Sequence, residues 1–91
     1  MAKYKIAKAA KADIDQIYFY GFDQFGERQA DKYHRDLYAQ FQIIADQPAM
    51  YPVTGMGEFR KSVFENLSIF YRIEKDQTVL IVRVFGRQDY Q

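Results

Sequence analysis

The chain has 91 residues, with 13 basic and 12 acidic side chains and a formal net charge of +1. This balance excludes a strongly basic protein that attracts nucleic acid through its bulk charge, so any basic site has to be local. The sequence contains no cysteine, which excludes disulfides, thiolate nucleophiles and cysteine-ligated zinc. The length fits one domain over residues 1–91.

No stretch of the sequence has the pattern of an export signal or of a membrane span. Residues 1–13 contain no apolar run of signal-peptide length. Nowhere else does the chain approach the roughly 18–20 consecutive apolar residues that cross a bilayer. We therefore expect a soluble, cytoplasmic protein without a membrane partner.

The first third of the chain changes from a period of two to a period near 3.6. Residues 3–7 alternate, with Tyr4 and Ile6 on one side, which predicts a short strand. From about Lys8 the pattern predicts an amphipathic helix that ends at Gly26, a residue suited to the left-handed C-terminal position. The apolar stripe of this helix comprises Ala10, Ile14, Ile17, Tyr18, Gly21 and Phe25.

A second amphipathic helix follows directly. It ends before Pro48, because the residue that precedes a proline is disfavoured in the helical region. A link as short as Gly26 makes the two helices an antiparallel hairpin. The apolar stripe of the second helix comprises Ala30, Tyr33, Leu37, Phe41 and Ile44.

The remainder of the chain is predicted to be a loop followed by β-structure. Residues 47–58 hold both prolines and show no periodicity, which predicts the loop. Val79–Val84 is apolar on both faces except for Arg83, which predicts a central strand. The order β-α-α-β-β-β predicts an α+β fold, an antiparallel-rich twisted sheet with the helical hairpin packed on one face. The predicted strands are 59–64, 67–74 and 78–85.

The chain contains several short segments whose order and spacing match those of a known protein family. They are Ala10–Tyr18, Gln24–Gly26, Gln29–Tyr33, Pro48 after the second helix, Phe70–Ile73, Val79–Val84 and Gly86–Arg87. On this layout the chain resembles the ParE toxins of bacterial type II toxin–antitoxin modules, within the ParE/RelE superfamily. The likeness runs over nearly the whole length.

The resemblance implies a toxin that a ParD-like antitoxin holds inactive by wrapping a helix or strand across its surface. ParE members are associated with inhibition of DNA gyrase, and RelE-like members cut mRNA on the ribosome. The leading interpretation is therefore a toxin that binds DNA gyrase, with no catalytic residue, no metal and no cofactor. Direct sequence-specific binding of nucleic acid is not expected of it.

The alternative is a ribosome-dependent endoribonuclease of the RelE type. Such a site needs several basic side chains around the scissile phosphate. By the pattern of that family, the residues that could serve are Lys61, with Arg60 loosely beside it, Arg87 and Tyr90. Where the pattern asks for an arginine in the middle strand region, this chain has Val63.

Arg72 and Arg83 lie in the middle of two predicted strands that a short turn joins. They could lie opposite each other on one face, where like charges destabilise the pairing unless acids intervene. Two interpretations stay open: ion pairs that support the packing of sheet on helix, or a polar patch that binds a partner together with Arg87. The acids available for such pairs are Asp13, Asp15 and Glu74.

The eight tyrosines and eight phenylalanines are a heavy aromatic content for so short a chain, so some are expected at a partner surface. Phe19 points almost opposite the apolar stripe of the first predicted helix, with Tyr20 and Phe22 on either side. We predict that these three residues contact the antitoxin or a second copy. The alternative is that the sheet or the loop covers them. The loop adds a second apolar set that fits either the core or an interface: Met50, Tyr51, Val53 and Met56.

His34 is the only histidine. It has no serine, cysteine or acid at the spacing of a catalytic triad or a metal site. We expect it to pack, half-buried, at the margin of the second helix's apolar stripe. The glycines at 55 and 57 lack the following helix that a phosphate-binding loop requires.

Overall fold

Two helices pack on one face of a four-stranded sheet in the computed structural model, which describes residues 2–55 and 57–86. The order of the elements is the predicted one, with a short 3₁₀ turn at Pro48–Met50 added before the second strand. Each strand ends within one residue of its predicted end. The elements are β1 (Tyr4–Ile6), α1 (Lys8–Phe25), α2 (Glu27–Asp46), β2 (Arg60–Phe64), β3 (Leu67–Ile73) and β4 (Val79–Gly86).

The sheet has the strand order β1-β4-β3-β2, so β4 is an inner strand as its two apolar faces predict. β1 pairs with β4 in parallel, whereas β2, β3 and β4 pair antiparallel. β1 contacts only Val79–Ile81 of β4. The second half of β4 therefore has no strand on that side in the described part of the chain.

The apolar stripes of the two helices face the sheet and form the core with it. A large apolar side chain contributes roughly 1.5–3 kcal/mol when it is fully buried, so this layer holds the hairpin on the sheet. The helices supply Ala10, Ile14, Leu37, Phe41 and Ile44, and the strands supply Ile69, Tyr71, Val79, Ile81 and Val84.

Gly26 alone joins the two helices. Its φ of +92° agrees with the predicted positive value, but its ψ of 168° is extended and lies outside the left-handed helical range. Glycine is essentially the only residue that adopts this combination. The Gly26 N–H donates to the Phe22 carbonyl at 2.9 Å, and its carbonyl accepts from the Ala30 N–H at 3.1 Å. One residue thus closes α1 and opens α2, so the chain reverses direction at once.

Side chains of the strands hold the loop after α2 against the core. The hydroxyl of Tyr71 donates to the Pro48 carbonyl at 2.6 Å. Nη1 of Arg60 donates to the Tyr51 carbonyl, also at 2.6 Å. The Tyr51 ring packs against the ring of Tyr71, edge to face, with 6.5 Å between the centroids. Tyr71 is therefore both a core residue and the anchor of the loop.

Burial raises the pKa of Tyr71 to about 12, and a shift of that size corresponds to roughly 3 kcal/mol. A folded-state pKa above the unfolded value adds stability that is complete below about pH 10 and is lost as the pH rises to 12. We expect Tyr71→Phe to reduce this alkaline loss. The variant also loses about 1 kcal/mol near neutral pH, because the hydrogen bond to Pro48 is removed.

Urea unfolding at neutral pH and across the alkaline range measures both effects. If the stability of the variant falls between pH 10 and 12 as steeply as that of the unaltered protein, Tyr71 is not the group responsible.

Candidate partner-binding surface

Four aromatic side chains surround the last two turns of α1 and are open to solvent. Their exposed fractions are 67% for Phe19, 51% for Tyr20, 46% for Phe22 and 62% for Phe25. We call these four residues the aromatic face. One exposed aromatic residue is ordinary, but four within seven residues form an apolar concentration of the kind that marks interaction sites.

The sequence places Phe25 in the buried stripe of α1, and this prediction is wrong. Within that stripe Ala10 and Ile14 are buried, whereas Phe25 is exposed, so the cover decreases toward the end of the helix. The residues between them are half-buried: Ile17, Tyr18 and Gly21. A cavity of about 210 Å³ separates the second half of α1 from the end of the sheet. Tyr20 and Phe25 are among the residues that line it. The aromatic face therefore includes a concave part as well as a convex one.

A row of aromatic rings supports the aromatic face from behind. The ring of Tyr18 lies 5.7 Å from that of Phe19 and 5.5 Å from that of His34, between centroids. His34 in turn lies 4.7 Å from Tyr38. Tyr18 donates to Asp31 at 2.7 Å, and this hydrogen bond raises the pKa of Tyr18. His34 packs half-buried between two tyrosines, as predicted.

A β-bulge in β4 decides where Arg83 lies. Phe70 pairs with Arg83 and Tyr71 pairs with Ile81, which leaves Val82 as an extra residue. Strict alternation from Ile81 would direct Arg83 into the core. The bulge shifts the alternation by one residue, so Val84 is buried instead and Arg83 takes the face that the helices leave uncovered.

The carboxylate of Asp13, on α1, binds β4 at this bulge. Its Oδ2 accepts from Nε of Arg83 at 2.7 Å and from the Val84 N–H at 3.0 Å, and its Oδ1 accepts from Nη2 of Arg83 at 3.0 Å. The Asp13 side chain is only 12% exposed. The amide of Val84 lies beyond the end of β1, so Asp13 takes the place of a neighbouring strand. Arg83 also stacks over the ring of Phe85 at 4.6 Å.

Arg72 lies opposite Leu80, not opposite Arg83 as the sequence suggested. The pairing of Ile73 with Val79 beside the turn already sets this register, so the two arginines do not lie opposite each other. Arg72 contacts Glu58 at 3.2 Å and Glu74 at 3.3 Å. Lys5 also binds Glu74, at 2.8 Å, and this hydrogen bond, with the help of Arg72, lowers the pKa of Glu74.

Lys61 is exposed at the edge of the sheet on the same uncovered face, opposite Phe70. No carboxylate lies within salt-bridge distance of its amine among residues 2–55 and 57–86. Arg87 and Tyr90, the other two residues of the ribonuclease interpretation, lie outside the described residues. Arg60 binds the loop carbonyl of Tyr51 and does not accompany Lys61.

The apolar residues of the loop after α2, predicted to fit either the core or an interface, differ in their exposure. Met50 and Val53 are exposed, at 53% and 51%, whereas Tyr51 packs against the core. Met56 lies outside the described residues. Within residues 2–55 and 57–86, no group of three His, Cys, Asp or Glu side chains could hold a metal ion. Neither α1 nor α2 is long and apolar enough to cross a membrane.

Sequence reasoning named Asp13 among the acids that could pair with the arginines, but it missed the bond of Asp13 to the Val84 amide and the bulge. Both left a signal. Asp13 is an acid one residue before Ile14, three after Ala10 and four before Ile17, so it borders the buried stripe. Arg83 is a charge at a position that alternation from Val79 and Ile81 assigns to the core, which points to a break in the alternation.

Comparison with known proteins gives matches over almost the whole chain. The model of the family described as ParE toxin of type II toxin-antitoxin system, parDE, matches residues 4–90. Toxin ParE1 of Caulobacter vibrioides is 32% identical over 81 residues, which cover 80% of this chain and 78% of that protein.

Two solved structures share the fold. The chromosomal ParDE system from P. aeruginosa superposes with a TM-score of 0.82 at 21% identity, over 94% of this chain and 96% of that one. The RelBE2 toxin–antitoxin complex from Mycobacterium tuberculosis superposes with a TM-score of 0.71 at 14% identity, over 94% and 98%. At these identities the likeness shows the fold alone.

The helical hairpin on a mixed four-stranded sheet has the fold of the ParE/RelE toxins. The match to the family model shows the same relationship in the amino-acid sequence, over residues 4–90. The chain belongs to the ParE toxin family of type II toxin–antitoxin systems. The resemblance read from the sequence is confirmed.

The two aspartates at the start of α1 provide a matched pair of variants. Asp13→Ala leaves the Val84 amide without its acceptor and removes two hydrogen bonds of Arg83, so we expect a loss of about 2–3 kcal/mol. Asp15→Ala breaks an exposed pair with Lys11 and should cost no more than about 0.5 kcal/mol. Denaturant unfolding compares the two. Equal losses would mean that the Asp13 contacts contribute no more than a surface ion pair.

Proposed function

We propose that this chain is a toxin that a ParD-like antitoxin neutralises, and that it inhibits DNA gyrase by binding it. The observation that carries the antitoxin part is the aromatic face, which no element of the described chain covers. The structural relatives from P. aeruginosa and M. tuberculosis are described as toxin–antitoxin assemblies. The gyrase target is the one associated with the family.

The aromatic face has the composition of an interface core. Tyr and Phe are enriched at the centres of protein interfaces, where they contribute much of the binding energy. An amphipathic segment of the antitoxin would cover Phe19 and Phe22 and would place an apolar side chain in the cavity beside Tyr20 and Phe25. The row of rings behind Tyr18 holds this surface in shape, which lowers the entropic cost of binding.

The charges on the sheet face that the helices leave uncovered favour a protein that acts by binding a partner, not by cleaving RNA. Arg83 is bound to Asp13, and Arg72 is bound to two glutamates. A site that cleaves RNA needs cations available to the phosphate as charge develops. Cations already neutralised by carboxylates attract a phosphate less, so neither arginine suits that task.

Lys61 keeps the ribonuclease of the RelE type as a second candidate. It is exposed, unpaired within the described residues and adjacent to Phe70 across the strands, so a base could stack near a free cation. In this candidate Arg87 and Tyr90 supply the remaining groups. The active protein would then cut ribosome-bound mRNA, and Arg87→Ala would abolish the cut.

Phe19→Ser tests the aromatic face. The side chain is 67% exposed, so we expect the fold to be retained and the affinity for the cognate antitoxin to fall by more than about 1 kcal/mol. Isothermal titration calorimetry measures the affinity, and thermal unfolding verifies the fold.

Ile43→Ser is the matched control, because it removes an exposed apolar side chain from α2 outside the aromatic face. Its affinity for the antitoxin should equal that of the unaltered protein. Unchanged affinity in a folded Phe19→Ser variant would show that the antitoxin binds elsewhere.

DNA supercoiling by purified gyrase tests the target. We expect the folded toxin to inhibit supercoiling and the antitoxin to relieve the inhibition, because both partners compete for one small protein. Folded toxin that leaves supercoiling unchanged would contradict the gyrase proposal. Cleavage of ribosome-bound mRNA that is lost in Lys61→Ala would then favour the ribonuclease.

A further inference from the structure

The side of α1 that faces away from the core carries a regular pattern. Six positions, the last of them the residue that ends the helix, recur at alternating spacings of four and three residues, and all are exposed. Such spacing places the positions in one stripe along a helix, the stripe through which two helices pack in a coiled coil. We call this set the outer stripe. It comprises Lys8, Ala12, Asp15, Phe19, Phe22 and Gly26.

The two halves of the outer stripe differ in size. The first half has the small side chain of Ala12, whereas the second half has the rings of Phe19 and Phe22. Between them lies Asp15, which Lys11 of the same helix neutralises at 2.8 Å. A stripe of this kind is complementary to itself when two copies run antiparallel, because the rings of each copy then pack where the other copy has alanine.

The charges at the two ends of α1 are also complementary to each other. Lys8 is exposed in the first turn and Asp23 in the last. Neither has an ion-pair partner among residues 2–55 and 57–86. Antiparallel pairing brings the first turn of each copy beside the last turn of the other, so the Lys8 amine comes within reach of the other copy's Asp23 carboxylate. Parallel pairing would bring lysine beside lysine and aspartate beside aspartate.

The same two charges oppose the dipole of their own helix. The first turn of a helix favours acids, and the last turn favours bases. α1 has no acid in its first turn and no base in its last, and it has Lys8 and Asp23 there instead. In an antiparallel pair each charge also meets the opposite end of the neighbouring helix, where the dipole favours it. A second copy therefore removes an unfavourable feature of the free helix, which a purely apolar partner would leave in place.

We propose that the free protein forms a two-fold symmetric dimer in which two outer stripes pack antiparallel. Ala12 of each copy lies opposite Phe22 of the other, and Lys8 of each copy pairs with Asp23 of the other. A single helix from each copy forms the contact, so the dimer is weak and its population depends on concentration.

The dimer and the antitoxin compete for the same side chains. Phe19 and Phe22 belong both to the outer stripe and to the aromatic face, so the free toxin buries them until the antitoxin displaces the second copy. This competition lowers the apparent affinity for the antitoxin as the toxin concentration rises. The pairing goes beyond the proposed function and does not rest on it, because it requires neither the antitoxin nor gyrase.

Charge exchange tests this pairing. Lys8→Glu and Asp23→Lys each place like charges beside each other twice in the dimer, so each should raise the dimer dissociation constant at least about tenfold. Neither should reduce the stability of the monomer, because each new charge agrees with the helix dipole. The double variant restores opposite charges across the interface and should return to within about threefold of the unaltered protein.

Ala12→Gln tests the packing. The larger side chain fills the position where the ring of Phe22 packs, so this variant should also raise the dissociation constant at least about tenfold. Ala39→Gln is the matched control, because it makes the same change at an exposed position of α2 and should leave the constant unchanged. Sedimentation velocity of the whole chain, from roughly 10 µM to 1 mM, measures the constants, and circular dichroism verifies the fold of every variant.

Monomers at every concentration would overturn the proposal. A dimer whose dissociation constant is unchanged by Ala12→Gln and by both single charge variants would also overturn it, because another surface would then form the contact. A double variant as weakly associated as the single ones would contradict the pairing of Lys8 with Asp23 across the interface, and with it the antiparallel arrangement.

Discussion

The carboxylate of Asp13 joins the two layers of the molecule at the bulge in β4. β1 ends before the second half of β4, and a backbone amide left open beside a helix would be costly. Asp13 binds the Val84 amide and Arg83 together. This fixes α1 on the sheet, protects the open side of β4 and holds the bulge that keeps Arg83 out of the core.

The bulge then sets the character of each face of the sheet. One additional residue, Val82, lets Ile81 and Val84 both point to the helices. Without the shift, a guanidinium would occupy a core position, where an unpaired charge costs several kcal/mol. On the other face, Arg72 and Arg83 each lie beside carboxylates. The surface that could have been strongly basic is mostly neutralised.

Two of the open surfaces in the described part of the chain have different causes. α1 continues past the part of its stripe that the sheet buries, so its last two turns expose the aromatic face and leave a cavity behind Tyr20 and Phe25. β2 is the last strand of the sheet, and the loop covers only its beginning. The first surface is apolar and suits a partner's side chains, whereas the second is a sheet edge with a strand neighbour on one side only.

Hydrophobic period, with Gly26 and Pro48 as local stop signals, determined the order of the elements, their approximate boundaries and the central place of β4, because these depend on neighbours in the chain. It also selected Phe19, Tyr20 and Phe22 as exposed. The tertiary structure alone decided the exposure of Phe25, the bulge at Val82 and the partners of the arginines. Each depends on where a distant element ends: the sheet under α1, or β1 beside β4. Local periodicity carries no information about such ends.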